Sequence, residues 1–230
     1  MMSEKNIGCR IITGHIRPDE SLVNRFKEFP VANVGDCMNR TAAVHQDIRP
    51  INQAKLLGTA FTVKVPQGDN LMFHKAMDMA QPGEVIVIDA GGMENRAIFG
   101  ELMINYCMLR GLAGVIVDGA IRDYDTLSQM DFPVYARGVN PNGPYKNGPG
   151  EIGVPISFGG QIVYPGDIVI GDADGIIFIR PEDAEILAAK TEAVFKMENG
   201  IMDTMGNEGT YIRPWVDKKL AELGCEYITK

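Results

Sequence analysis

The chain has 230 residues, 45% of them apolar and 23% charged, enough for one substantial core and ordinary for a globular protein. Thirty acidic residues against 22 basic ones give a net charge of −8, which repels phosphate backbones and removes nucleic acid from the expected partners. The opening Met-Met-Ser-Glu-Lys has no apolar stretch, and the apolar runs Val85 to Ile88 and Val115 to Val117 fall far short of the roughly 18 residues that span a bilayer, so neither secretion nor membrane insertion is expected. Cys9, Cys37, Cys107 and Cys225 are scattered with no CxxC pair, which signals neither a disulfide framework nor a structural zinc site and fits a cytoplasmic location. A single domain over residues 1–230 is the expectation.

In chain order, Leu22, Val23, Phe26 and Phe29 recur at helical spacing after Asp19 and predict a helix from Pro18 to Pro30. Ala54 to Val65 reads as a strand, and Asp69 as the cap of a second helix carrying Leu71, Met72, Lys75, Ala76 and Met79 and stopping at Gln81-Pro82-Gly83. Val85-Ile86-Val87-Ile88 and Val115-Ile116-Val117 are short, β-rich and wholly apolar, as buried parallel strands are. Between them Gly100 to Arg110 is helical in pattern, with Leu102, Tyr106 and Leu109 on one face, which completes a strand-helix-strand crossover; ligand sites in such units lie beyond the carboxyl ends of the strands. A helix from Asp123 to Met130, a strand at Val134-Tyr135-Ala136 and a loop from Gly138 to Gly150 follow. Apolar hairpin-like strands are predicted at 154–158, 161–164, 168–171 and 176–180, with turns at Pro165-Gly166-Asp167 and Asp172 to Gly175. Two helices close the chain, Pro181 to Asn199 and Glu208 to Leu223, and they could pack on a neighbouring subunit as easily as on their own core.

Two constellations sit at the predicted strand ends. Arg122-Asp123 follows the second strand; a carboxylate there can hold a hard cation and a guanidinium can fork onto a substrate carboxylate, although Asp123 as a helix N-cap and Arg122 as a surface residue explain the bare dipeptide better. Gly100-Glu101-Leu102-Met103 opens the crossover helix, where free N–H groups and the positive dipole end favour an anion; an ordinary helix start explains it equally, and its position at the same end of the sheet as Arg122 and Asp123 is what raises its weight. Lys55, Lys64 and Lys75 read as surface lysines rather than Schiff-base formers, and His74 as a structural histidine. Gly91-Gly92 lacks the GxGxxG spacing and no GxxxxGK[ST] occurs, which disfavours dinucleotide and nucleoside-triphosphate cofactors.

The ordered string 68–74 (GDNLMFH), 99–103 (FGELM), 110–115 (RGLAGV), 118–123 (DGAIRD), 132–134 (FPV) and Pro165-Gly166-Asp167 through Asp174-Gly175 resembles the 4-hydroxy-4-methyl-2-oxoglutarate aldolase group, which belongs with the regulator of ribonuclease activity A proteins. The likeness runs from about Val31 to the last helix. It implies a compact α/β domain of the swivelling phosphohistidine-like type, with a central β-sheet, flanking helices and C-terminal helices at a subunit interface, assembled as homotrimers or homohexamers. It also implies divalent-metal-dependent (class II) cleavage of a 2-oxo-4-hydroxy acid to pyruvate, with Mg2+ or Mn2+ as the cation and oxaloacetate decarboxylation as a companion activity.

Residue by residue, the resemblance implies that Gly100, Glu101, Leu102 and Met103 surround the pyruvyl carboxylate through backbone N–H groups and that Arg122 binds the substrate. By the same resemblance Asp123 would ligate the cation directly, Glu101 would hold water on that cation, and Glu198 or Glu192 of a neighbouring subunit would complete the site. The loop from Asn140 to Pro149 departs from the aldolase pattern. The alternatives are a non-catalytic ring that regulates a ribonuclease or helicase by binding it, for which the acidic charge would suit a basic partner, and a menaquinone methyltransferase, for which no methyl-donor fingerprint is visible.

Overall fold

The computed structural model describes residues 6–229, so the opening five residues considered above lie outside it. In chain order the elements are β1 (Cys9–Ile11), α1 (Glu20–Asn24), α2 (Val31–Cys37), β2 (Arg49–Pro50), β3 (Leu56–Lys64), α3 (Leu71–Met79), β4 (Glu84–Phe99), α4 (Glu101–Leu109), β5 (Gly114–Ile121), α5 (Tyr124–Leu127), β6 (Val134–Val139), β7 (Gly150–Ile152), β8 (Ile156–Phe158), β9 (Gln161–Val163), β10 (Ile168–Asp172), β11 (Gly175–Ile179), α6 (Pro181–Glu208) and α7 (Pro214–Glu222). The chain divides into two compact units, one ending at Thr191 and the other beginning at Glu192.

The first unit is a mixed α/β domain around a nine-stranded sheet in the order β1-β7-β3-β4-β5-β6-β2, with β10 joined to β3 and β11 to β10. β3, β4, β5 and β6 are parallel, whereas β10 pairs antiparallel with β3 and β11. Side chains of successive strand residues point to opposite faces, and the apolar runs use both. Ile86, Ile88, Val115 and Val117 enter the core under α3 and α4, while Val85, Val87 and Ile116 pack on the other face with Tyr135, Phe158 and Val169. A third cluster joins Val23, Phe26 and Val34 to Ile168, Ile170, Ile177 and Leu187.

The structure departs from the sequence expectations at several places. The helix expected from Pro18 to Pro30 is only α1, five residues long; the chain then turns, and α2 supplies further apolar cover. Pro30 holds the extended backbone (φ −59°, ψ 140°) that stops one helix and starts the next. The N-cap of α3 is Asn70, although Asp69 Oδ1 accepts the Leu71 N–H at 2.9 Å. The first helix of the C-terminal pair extends to Glu208, and α7 starts only at Pro214.

The face of α4 carrying Leu102, Tyr106 and Leu109 is exposed, with Leu102 at 83% and Leu109 at 85%, and the core takes Ile104 and Cys107 instead. Burial pushes the Cys107 thiol up to about 12, so it carries no thiolate at neutral pH and is not a nucleophile. In the second unit Met197, Met202, Ile212 and Trp215 are exposed. Among the described residues, no helix is long and apolar enough to cross a membrane.

Candidate functional site

The two predicted constellations are brought together by strand register. β4 and β5 run parallel and end level with each other, Phe99 opposite Ile121. Gly100-Glu101 follows the first strand and Arg122-Asp123 the second, and the Arg122 N–H donates to the Phe99 carbonyl at 3.0 Å. Two parallel strands of equal reach therefore put the start of α4 beside the start of α5.

The backbone at Asp123 decides between its two readings. It occupies the N-cap position of α5, yet its side chain makes no capping bond to that helix. Its backbone is left-handed (φ 58°, ψ 39°), a conformation that costs a non-glycine residue about 1 kcal/mol or more. The turn instead aims the carboxylate at α4, where Oδ2 accepts the Glu101 N–H at 2.9 Å. Glycine is required at position 100 for this approach: a Cβ there would collide with Asp123 Oδ2 and Arg122 Cγ. Arg122 Nε lies 3.8 Å from Asp123 Oδ2, with both side chains 40–45% exposed, so the pair adds little to stability and both groups stay accessible.

Around this junction lies a cavity of about 220 Å³, lined by Gly100, Leu102, Met103, Arg122 and Asp123, with Asn70 and His74 from the start of α3 and Pro144 and Lys146 from the loop after β6. The Glu101 N–H is committed to Asp123. The first-turn N–H groups of Leu102 and Met103, which have no carbonyl four residues back within the helix, remain for an anion. Asn70 is buried, and its Nδ2 donates to the Ile98 carbonyl at 2.8 Å, which fixes the amide and leaves Oδ1 a buried acceptor with no partner among the described residues. Such an orphan is costly unless a ligand or water donates to it.

Sequence reasoning did not single out Asn70, Pro144 or Lys146 and read His74 as a structural histidine; the structure places all four on the cavity wall. Desolvation, and then the Lys146 ammonium, lower the pKa of His74, so its imidazole is neutral at pH 7. Removing the cation should reverse part of that shift: Lys146→Ala is expected to raise the His74 pKa, measured by titrating its ring resonances in NMR spectra. An unmoved or lower value would show that the two groups do not share this cavity.

A family model described as "Aldolase/RraA" matches residues 31–178, which is more than half of the chain. The chain belongs to the RraA-like family. A protein of Halalkalibacterium halodurans named "Putative 4-hydroxy-4-methyl-2-oxoglutarate aldolase" is 39% identical over 171 residues, covering 74% of this chain and 81% of that one. The solved structure of the RNA-processing inhibitor RraA from Thermus thermophilis superposes with a TM-score of 0.61 at 27% identity, covering 66% of this chain and 93% of that one. An uncharacterized protein from Pseudomonas syringae superposes with a TM-score of 0.75 at 22% identity over 86% and 98% of the two chains, which identifies the fold. The RraA-like match spans α2 to β11 and so contains every residue that lines the cavity.

Among the described residues there is no group of three or more His, Cys, Asp or Glu side chains placed to enclose a metal ion. The carboxylate that lines the cavity is that of Asp123; Glu101 meets it through its backbone N–H and is not itself among the lining residues, and a lone carboxylate fits a hard divalent ion that keeps most of its ligands as water or substrate oxygen. Glu192 and Glu198 are carried by α6 in the second unit, where Glu192 pairs with Lys196 at 2.6 Å. Lys55, Lys64 and Lys75 are exposed, as expected, and none lines the cavity.

Proposed function

We propose that this RraA-like protein is a lyase, a class II pyruvate aldolase that cleaves 4-hydroxy-4-methyl-2-oxoglutarate or a related 2-oxo-4-hydroxy acid to pyruvate, with oxaloacetate decarboxylase side activity. The observation that carries this reading is the left-handed Asp123, whose carboxylate is turned away from its own helix and toward the anion-favouring start of α4. The name of the Halalkalibacterium relative supports it.

In this reading the pyruvyl carboxylate lies against the Leu102 and Met103 N–H groups, and the Arg122 guanidinium forks onto substrate oxygens. Asp123 would hold a magnesium or manganese ion directly, and Glu101 a water beside it. The cation, when bound, supplies positive charge to the 2-oxo and carboxylate oxygens as negative charge develops there. A water positioned by Arg122 takes the 4-hydroxyl proton, the C3–C4 bond breaks, and its electron pair passes into the pyruvate enolate while the other fragment leaves as a carbonyl compound. Loss of carbon dioxide from oxaloacetate gives the same enolate, so one site serves both reactions. The distal half of the substrate then faces Asn70, neutral His74 and Lys146. The test is a pyruvate-release screen over 2-oxo acids: exhaustive chelation is expected to abolish turnover, and magnesium or manganese to restore it. Full activity after chelation would rule out the metal-dependent reaction.

A second copy of the chain completes the site in this proposal. The exposed stripe Leu102, Tyr106 and Leu109 runs along α4 directly from the cavity, and an apolar stripe of that kind suits burial against another subunit. The homotrimer or homohexamer so formed brings Glu198 or Glu192 of a neighbour to the cavity. Sedimentation and dilution assays should then find an oligomer that loses activity as it dissociates, and an active monomer would rule out the shared site.

The second reading is a non-catalytic ring that regulates a ribonuclease or helicase by binding it. The likeness to the Thermus RNA-processing inhibitor and the net charge of −8 favour it. Capture of such an enzyme from lysate by a chain without turnover would select it.

A further inference from the structure

One wall of the cavity, carrying Pro144 and Lys146, is a loop, yet it is held like a structural element. Its grip comes first from β4, which leaves the regular ladder after Asp89: the register with β5 jumps from Asp89–Asp118 to Met93–Gly119 and then to Ala97–Ala120. Left-handed Gly91 and Gly92 (φ 68° and 72°) allow this excursion, and it carries Arg96 out to the loop after β6. There Arg96 Nη1 donates to the Gly143 carbonyl at 2.9 Å and Nη2 to the Tyr145 hydroxyl at 2.8 Å, while its Cζ stands 4.1 Å over the Tyr145 ring. The second grip is Asp69, itself buried, whose Oδ2 accepts the N–H groups of Asn147 at 2.6 Å and Gly148 at 3.0 Å. Between the two, the backbone of Tyr145 bonds to Gly68 and Asn70.

Held residues alternate with residues that face the cavity. Residues 143, 145, 147 and 148 are pinned from outside the cavity, whereas Pro144 and Lys146, the residues between them, line it. A flexible lysine on a free loop would spread its charge over a wide volume; on a pinned backbone it is confined to one end of the cavity.

We infer that Arg96 and Asp69 are positioning residues that set which distal group the substrate can carry, by fixing the backbone that presents Pro144 and Lys146. This rests on the aldolase reading above, and it adds to that reading two residues that touch neither substrate nor cation. The pyruvyl half of the site, at Arg122, Asp123 and the start of α4, takes its backbone position from β4 and β5 and meets the loop at Gly143, where an added Cβ would stand 3.2 Å from Arg122 Nη1.

The test compares Arg96→Ala and Arg96→Lys with wild type in three measurements on the full chain. Limited trypsin digestion reads the loop itself, through cleavage after Lys146. Steady-state cleavage of 4-hydroxy-4-methyl-2-oxoglutarate reads the distal wall, and deuterium exchange into the methyl group of pyruvate reads the pyruvyl half. Both variants are expected to be nicked after Lys146 about tenfold faster and to show a KM for cleavage raised about tenfold, with kcat and pyruvate exchange within about threefold of wild type. Lysine does not rescue, because it cannot fork between the Gly143 carbonyl and the Tyr145 hydroxyl. Tyr145→Phe keeps the ring and one of the two bonds and should move KM by about threefold or less. An unchanged KM in both arginine variants would overturn the inference, as would an equal loss of cleavage and pyruvate exchange, which marks general damage. Wild-type protein that neither cleaves nor exchanges would overturn the aldolase reading and the positioning role together, an outcome recognised separately because the tryptic measurement needs no substrate. If Arg96→Ala does not fold, Asp69→Asn replaces it with the same expected split.

Discussion

Asp123→Asn is expected to cost metal-supported pyruvate release by roughly three orders of magnitude while moving unfolding free energy by no more than about 1 kcal/mol. The two effects separate because they use different properties of the carboxylate. Asparagine keeps an oxygen that can accept the Glu101 N–H, and it tolerates the left-handed backbone at least as well as aspartate. It loses the negative charge that would hold a hard cation at a site with one direct carboxylate. Turnover with and without magnesium gives the first quantity and chemical denaturation the second. Wild-type turnover would remove Asp123 from the chemistry, and a loss of several kcal/mol with collapse of the fold would restore its reading as a structural cap.

What could be read from the sequence follows from how local each determinant is. The crossover from β4 through α4 to β5 was legible because two short apolar β-branched runs flank a helical pattern that ends at Gly111. That placement alone put Gly100, Glu101, Arg122 and Asp123 at one end of the sheet. The rest of the cavity depends on tertiary approach. Lys146 comes from a loop rich in Gly, Pro and Asn with no periodicity, and bonds from Asp69, Arg96, Gly68 and Asn70 to that loop bring it to the same cavity wall as His74. Asn70 stood only within the 68–74 string, and its orphaned Oδ1 is visible only with Ile98 and Met103 packed around it.

Misreadings have equally physical sources. Leu102, Tyr106 and Leu109 are spaced as a core face would be, but α4 buries Ile104 and Cys107, and the apolar stripe is left outward. Gly91-Gly92 was weighed only as a failed GxGxxG fingerprint after the strand Val85 to Ile88. In the structure they serve an excursion within a strand of 16 residues, because the ladder to β5 resumes beyond them. Asp118, quoted only as part of a motif, is a structural anchor: Arg137 Nε donates to it at 2.7 Å and the Gly159 N–H at 2.9 Å.

Arg122→Lys should separate charge from geometry. Both side chains are cationic, but a guanidinium presents two parallel N–H donors that match a carboxylate or an oxo-acid edge, whereas an ammonium is a point charge on a flexible stem. If Arg122 acts through its fork, the substitution should lower kcat/KM by roughly a hundredfold or more, about 3 kcal/mol of lost transition-state stabilisation. Oxaloacetate decarboxylation should fall in similar proportion, since both reactions pass through one enolate. The fold should hold, because Arg122 is 45% exposed and its salt contact to Asp123 is 3.8 Å long. The competing mechanism holds the substrate as an imine on a lysine of lowered pKa. Lys146 is the lysine on the cavity wall, and it is exposed to solvent rather than enclosed in the apolar pocket an imine-forming amine needs. Borohydride added with pyruvate should therefore leave activity unchanged. A reduced pyruvyl adduct on Lys146, found by mass spectrometry, would overturn the metal-dependent mechanism, and an Arg122→Lys variant that keeps one activity while losing the other would show that cleavage and decarboxylation use different sites.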